Sequence, residues 1–309
     1  MENIPCFDAH CDTVSACLHT GRGLRQNPGQ LDLERLHAFS PAAQVFAIFA
    51  DSARYAPDVL GAEVLRQKDF FSSEIARSDD LIRFCRTSGE IRAAVGADRI
   101  AALLSVEGGE LLDCDPGRLE EAASWGVRCV NLTWNHENAL SGSHLEGPDR
   151  GLTARGRDFV REAESLGVLV DVSHLSDAGF WDLVRIAARP IVATHSDARA
   201  VCPHSRNLTD DMFRAIRDSG GCAGLNLYTP FIGGSAMDDV LRHVEHFLSL
   251  DGEKTLCLGG DLDGCDSLAG GLRGAQDLPL LWDALAARGY DRALMEDIFF
   301  NNLLRVLEN

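Results

Sequence analysis

Two histidines in the middle of the chain end similar stretches. His174 closes GVLVDVSH and His195 closes RPIVATH, each just after a short apolar run, 168–172 and 190–193. Between them 176–188 reads as a helix, opened by Ser176 and Asp177 and carrying Phe180, Leu183, Val184 and Ala187 at helical spacing. Strand, helix and strand in about thirty residues make a βαβ unit, so the strands are parallel neighbours. Both imidazoles then emerge at the same end of the sheet. One histidine at a strand end is more often structural; two side by side suggest a metal.

The same kinds of residue stand at the other expected strand ends: His10 and Asp12, Glu107, Trp134 and His136, Asn226 and Tyr228, Asp261 and Asp263. Histidine and carboxylate side chains are the ligands of zinc and similar ions. His10 and Asp12 are two apart, which on a strand turns both to one face. His10, Asp12, Glu107, His174 and His195 are too many for one catalytic zinc with an open position. They suit two metals roughly 3.5–4 Å apart if the carboxylate of Glu107 bridges.

The elements that must position these groups form a regular alternation. Buried strands are expected at 4–7, 43–50, 100–106, 127–134, 168–172, 190–193, 222–227 and 255–260, and the last delivers Asp261. Continuous apolar runs of this kind mark strands covered on both faces. Helical patterns fill 58–85, 115–124, about fifteen residues ending at Gly167, a stretch opened by Thr209, 236–250, and two closing helices near 277–288 and 291–307. Eight strands, each followed by helical material, predict a (β/α)8 TIM barrel, with an open doubly wound sheet as the alternative. No linker or repeat divides the chain, so residues 1–309 are expected to form a single catalytic domain.

Composition narrows the partners. Asp plus Glu outnumber Lys plus Arg by 47 to 29, and a net charge of −18 argues against nucleic acid and against an anionic membrane. MENIPCFDAHCD has neither a basic start nor an apolar core, so no signal peptide is expected. The ten cysteines are scattered without a CxxC pair and read as reduced, mostly buried thiols. The expected location is cytoplasmic.

FDAHCDT, SVEGGE, GLTARGRDFVREAESLGVLVDVSH, ATHSDARAVCPHSRN and GGDLDG, in that order from residue 6 to about 264, resemble the signatures of the membrane dipeptidase (renal dipeptidase) family of zinc metallopeptidases. The resemblance implies a TIM barrel of the metal-dependent hydrolase type with two zinc ions per chain, His10 and Asp12 on one, His174 and His195 on the other, and Glu107 on both. It matches Asp261 to an acidic residue beside the bridging water, hence a catalytic proton carrier, and Arg206 to an arginine that holds the substrate carboxylate. The implied activity is hydrolysis of small dipeptides by a bridging hydroxide. Two zinc ions lower the pKa of a shared water and polarise the scissile carbonyl, and a guanidinium fork suits bidentate capture of a carboxylate.

One position departs from the family. Members carry a substrate-contacting histidine at the end of the fourth strand, in an LTH pattern; this chain reads NLTWN, with Trp134 there. His136, two residues on, is the candidate to supply that imidazole at the substrate. The alternatives to a dipeptidase are a barrel metallohydrolase acting on another small amide, a lactam or N-acyl amino acid, and a catalytically silent metal-binding scaffold. A homodimer is left open.

Other apparent motifs fail. DLDGCD puts its glycine too early for an EF-hand loop. GEKT lacks the upstream glycine of a P-loop. Ser173 and Ser196 have no G-x-S-x-G elbow. His243 and His246, one turn apart, read as a helix surface.

Overall fold

The structure is a computed structural model that describes residues 3–308. Its strands are β1 (Cys6–Cys11), β2 (Ala42–Ile48), β3 (Ile82–Phe84), β4 (Ile100–Glu107), β5 (Val127–Asn131), β6 (Leu169–Asp171), β7 (Val192–Ala193), β8 (Cys222–Leu225) and β9 (Leu256–Leu258). Eight of them close a parallel ring in the order β1, β2, β4, β5, β6, β7, β8, β9, and β9 returns to β1 through Asp8 and Leu258. The chain is the (β/α)8 barrel that its apolar runs predict. β3 stands outside the ring and pairs only the first residues of β4, at Ile82–Ile100 to Phe84–Ala102.

Alternation along the strands sorts side chains between two layers. Phe7, Ala9, Ala43, Val45, Ala101, Leu103, Cys129, Val192, Cys222 and Cys257 come from strands all round the ring yet form one buried cluster, which must therefore fill the lumen. Phe300, Leu303 and Leu304 from the C-terminal segment pack into the same cluster. The opposite faces, with Phe46, Ile48, Leu104 and Val106, join the helices in the larger outer core.

Followed upward by twos, the lumen rows lead to the polar end: Leu103 to Glu107, Cys129 to Asn131, Leu169 to Asp171, Cys257 to Asp261. β1 breaks step. Its register against β2 shifts between Asp8 and Cys11, and a bulge of this kind re-aims a side chain. His10 is one residue out of the Phe7–Ala9 row, yet it meets Glu107 and His195 at the top of the lumen.

Three expectations change. The helical pattern at 58–85 divides: the helix Pro57–Arg77 stops at Ser78, and β3 and the helix Ser88–Gly96 follow. The last helical stretch is broken into Arg292–Glu296, a π-helical turn Asp297–Asn301, and Asn302–Val306. His243 is not on a helix surface. It lies on the face of Met237–Leu248 that also buries Val240, Val244 and Phe247, where its Nδ1 accepts from Ala198 N–H and its Nε2 donates to the Ile232 carbonyl, both at 3.0 Å. Two backbone partners remove the cost of burying the ring. No described helix is long and apolar enough to cross a membrane.

Candidate active site

The five expected ligands converge, all buried. Glu107 ends β4 and divides its oxygens: Oε2 lies 3.4 Å from His10 Nε2, while Oε1 lies 2.9 Å from His174 Nε2 and 3.4 Å from His195 Nε2. His10 Nε2 is 3.8 Å from Asp12 Oδ2. The rings of His10 and His195 stack with centroids 3.9 Å apart. Donor atoms of His10, Glu107 and His195 fall within 4.8 Å of one another, as do those of His10, Asp12 and Asp261.

These contacts fit cations. His10 Nε2 and Asp12 Oδ1 are buried with no hydrogen-bond partner, a state that costs free energy unless something else binds them. Burial, reinforced by neighbouring carboxylates, raises the pKa of Glu107 and of Asp261. Positive charge set among these groups would relieve that strain. Burial, with Arg206 and His10 nearby, holds His174 and His195 well below the usual imidazole range, so both keep a lone pair to offer. Burial pushes His10 down as well, but Glu107 and Asp12 outweigh it and raise its pKa.

A supporting layer fixes the tautomers. Thr194 Oγ1 donates to Asp171 and so accepts from His195 Nδ1–H at 2.7 Å, leaving Nε2 free to ligate. Asp171 also takes the backbone N–H groups of Ser173 and Thr194 and the amide of Asn131. Asn135 Oδ1 accepts from His174 Nδ1 at 2.8 Å and from His144 Nε2 at 2.9 Å. His144 Nδ1 then accepts the Ser205 hydroxyl at 3.0 Å. Such partners orient a metal-binding imidazole. Asp8 braces β1 by accepting from His10 N–H and Gly260 N–H. Sequence reading missed this layer, because Asp8, Asn135 and Asp171 acquire their roles only through the partners the fold supplies.

Above the centre opens a cavity of about 500 Å³, lined by Asp12, Glu107, His174 and Asp261 at its floor. Arg206 is buried beside it. Nη1 donates to Ser196 Oγ at 2.7 Å, while Nε and Nη2 have no partner. Asp261 Oδ2 accepts from Asn226 Nδ2 at 3.1 Å. His136, expected to face the substrate, is not among the residues that line the cavity. β5 ends at Asn131, so strand alternation no longer governs position 136, and the ring is held between Asp51 and Glu146 at 3.3 and 3.0 Å. His144, from the loop beyond, also lines the cavity, bonded to Asn135. Burial, with Arg206 nearby, pushes its pKa down to about 3.

The family model for membrane dipeptidase, peptidase family M19, matches residues 1–309. The chain belongs to that family. By class, then, it is a metal-dependent dipeptidase. A relative of known structure, a metallopeptidase from Rhodobacter sphaeroides bound to a phosphinate mimic of L-Ala-D-Ala, superposes with a TM-score of 0.92 at 29% identity, covering 99% of both chains. The structure of dipeptidase AC, also of family M19, gives 0.92 at 30% identity over 99% of this chain and 98% of its own. Among sequences, an uncharacterized protein in the pqqA 5′ region of Klebsiella pneumoniae is 36% identical over 248 residues, 76% of this chain and 91% of its own length. An uncharacterized dipeptidase of Schizosaccharomyces pombe is 27% identical over 92% of this chain and 74% of its own.

Proposed function

We propose that the chain hydrolyses dipeptides at a two-zinc centre bridged by Glu107, with His10 and Asp12 on one side and His174 and His195 on the other. The observation that carries this is the division of the Glu107 carboxylate, one oxygen toward His10 and the other toward His174 and His195. Two zinc ions held there supply Lewis acidity to a water nucleophile and to the scissile carbonyl.

The remaining work belongs to side chains. Arg206 turns its unpartnered Nε and Nη2 to the substrate's C-terminal carboxylate, a planar pair that matches two oxygens. Asp261, held through Oδ2 by Asn226, uses its other oxygen to take the proton of the attacking water and deliver it to the leaving amine. Burial raises the pKa of Asp261, which suits a group that must hold a proton in transit. Residues 1–309 act as one catalytic unit, and the ten free thiols suit the reducing cytoplasm.

The test combines metal content with substrate length. Elemental analysis of zinc-loaded protein is expected to give two zinc per chain; one tightly held ion contradicts the bridge. L,L- and L,D-dipeptides with a free carboxylate are expected to be cut, and their C-terminal amides spared. Arg206→Lys keeps the charge but loses the fork and should mainly raise KM. Equal turnover of free and amidated dipeptides removes Arg206 from this role.

A further inference from the structure

The cavity wall carries two aromatic groups on opposite sides of the ring. Tyr228, Phe231 and His204 stand after β8 and β7, beside Arg206, whose guanidinium lies 5.8 Å over Phe231. Phe49 and Trp134 stand after β2 and β5, the two strands that flank the upper part of β4. In the ring order β4 is four steps from β8 in either direction, so this second pair faces the first across the mouth, with Glu107 at its foot.

The Phe49–Trp134 pair is built in place. The rings meet at 5.0 Å and 55°, and Trp134 lies 6.2 Å from His174. Buried Gln67, from the helix Pro57–Arg77, clasps the Phe49 backbone from both sides, accepting from its N–H at 3.0 Å and donating to its carbonyl at 2.7 Å. The Phe49 and Trp134 side chains remain partly open to the cavity. A tilted aromatic pair offers carbon surface and ring faces, which reward apolar groups and leave a charged group desolvated without a partner.

A dipeptide whose carboxylate is held at Arg206 and whose scissile carbonyl lies over the ligand cluster must extend its first residue toward β2 and β5. We infer that Phe49 and Trp134 form the pocket for the N-terminal side chain and select dipeptides whose first residue is bulky and apolar. The inference rests on the dipeptidase reading and on Arg206 as its carboxylate anchor.

The zinc-loaded protein is assayed on Xaa-Ala dipeptides, with Gly, Ala, Leu, Phe, Asp and Lys as Xaa, and on the matching Ala-Xaa set. For Leu-Ala and Phe-Ala, kcat/KM should exceed that of Gly-Ala by about tenfold or more, the scale at which an apolar pocket rewards added methylenes; Asp-Ala should be among the poorest. Phe49→Ala and Trp134→Ala should shrink the spread across Xaa-Ala more than that across Ala-Xaa. Calorimetry with phosphinate mimics of Phe-Ala and Gly-Ala gives a second readout, with the Phe mimic expected to bind about tenfold more tightly. A flat Xaa-Ala profile from an active enzyme, or equal affinity for the two mimics, overturns the pocket and leaves the dipeptidase standing. A spread confined to Ala-Xaa that moves with Phe49 assigns the wall to the other residue and overturns it too. Failure to cut any dipeptide, with no binding of either mimic, is instead the failure of the dipeptidase reading itself.

Discussion

Asp12, Glu107 and Asp261 share one floor, but their settings differ. Glu107 has imidazoles on both oxygens, whereas Asp261 leans on Asn226 and groups with His10 and Asp12. Asp261→Asn keeps the shape and removes the base, so zinc content should stay at the wild-type level while kcat falls about 10²–10⁴-fold with KM little changed. Loss of a zinc from this variant would make Asp261 a ligand instead. The cluster of five buried histidine and carboxylate side chains was legible in the sequence because polar residues recur at the ends of buried apolar runs on several strands. His144 was not, since it reaches the cavity from a loop where no periodicity announces position. His136 shares a face with Trp134 only on a strand that continues past Asn131, where this one ends.

At the scale of elements, precision comes from close backbone contact as much as from side chains. A Cβ built on Gly224 of β8 would lie 1.9 Å from the Thr194 carbonyl, and one on Gly259 beyond β9 would lie 1.9 Å from the same atom. These glycines let the ends of β7, β8 and β9 crowd together, which sets the spacing of His195, Asn226 and Asp261. Gly224→Ala must push β7 away and should cost about 1–3 kcal/mol in denaturant unfolding, with weaker zinc retention. Unchanged stability and metal content would show that the strands are free to part. The barrel itself was readable, because strands buried on both faces appear as apolar runs at regular intervals. β3 was not: Leu81, Ile82 and Phe84 continue the helical pattern of 58–77, and only the pairing with β4 distinguishes them. The bulge in β1 has no sequence mark either, since His10 and Asp12 look correctly spaced on an unbroken strand.

At the scale of the whole molecule, the site belongs to no one part of the chain. Its first proposed ligand is residue 10 and its proposed proton carrier residue 261, and they meet because β9 pairs with β1 at Asp8 and Leu258 while Asp8 accepts from Gly260 N–H. A chain growing from its N-terminus therefore carries the proposed ligands before the ring that gathers them can close. Ring closure joins the most distant strands in the sequence, and contacts of long separation form slowly. Metal capture then becomes a clock for the last step of folding. In refolding from denaturant with excess zinc, uptake should follow the formation of helices and proceed at a rate that does not change with zinc concentration. A rate that rises in proportion to zinc, or uptake that precedes helix formation, would mean that the ions gather the strands instead of waiting for them.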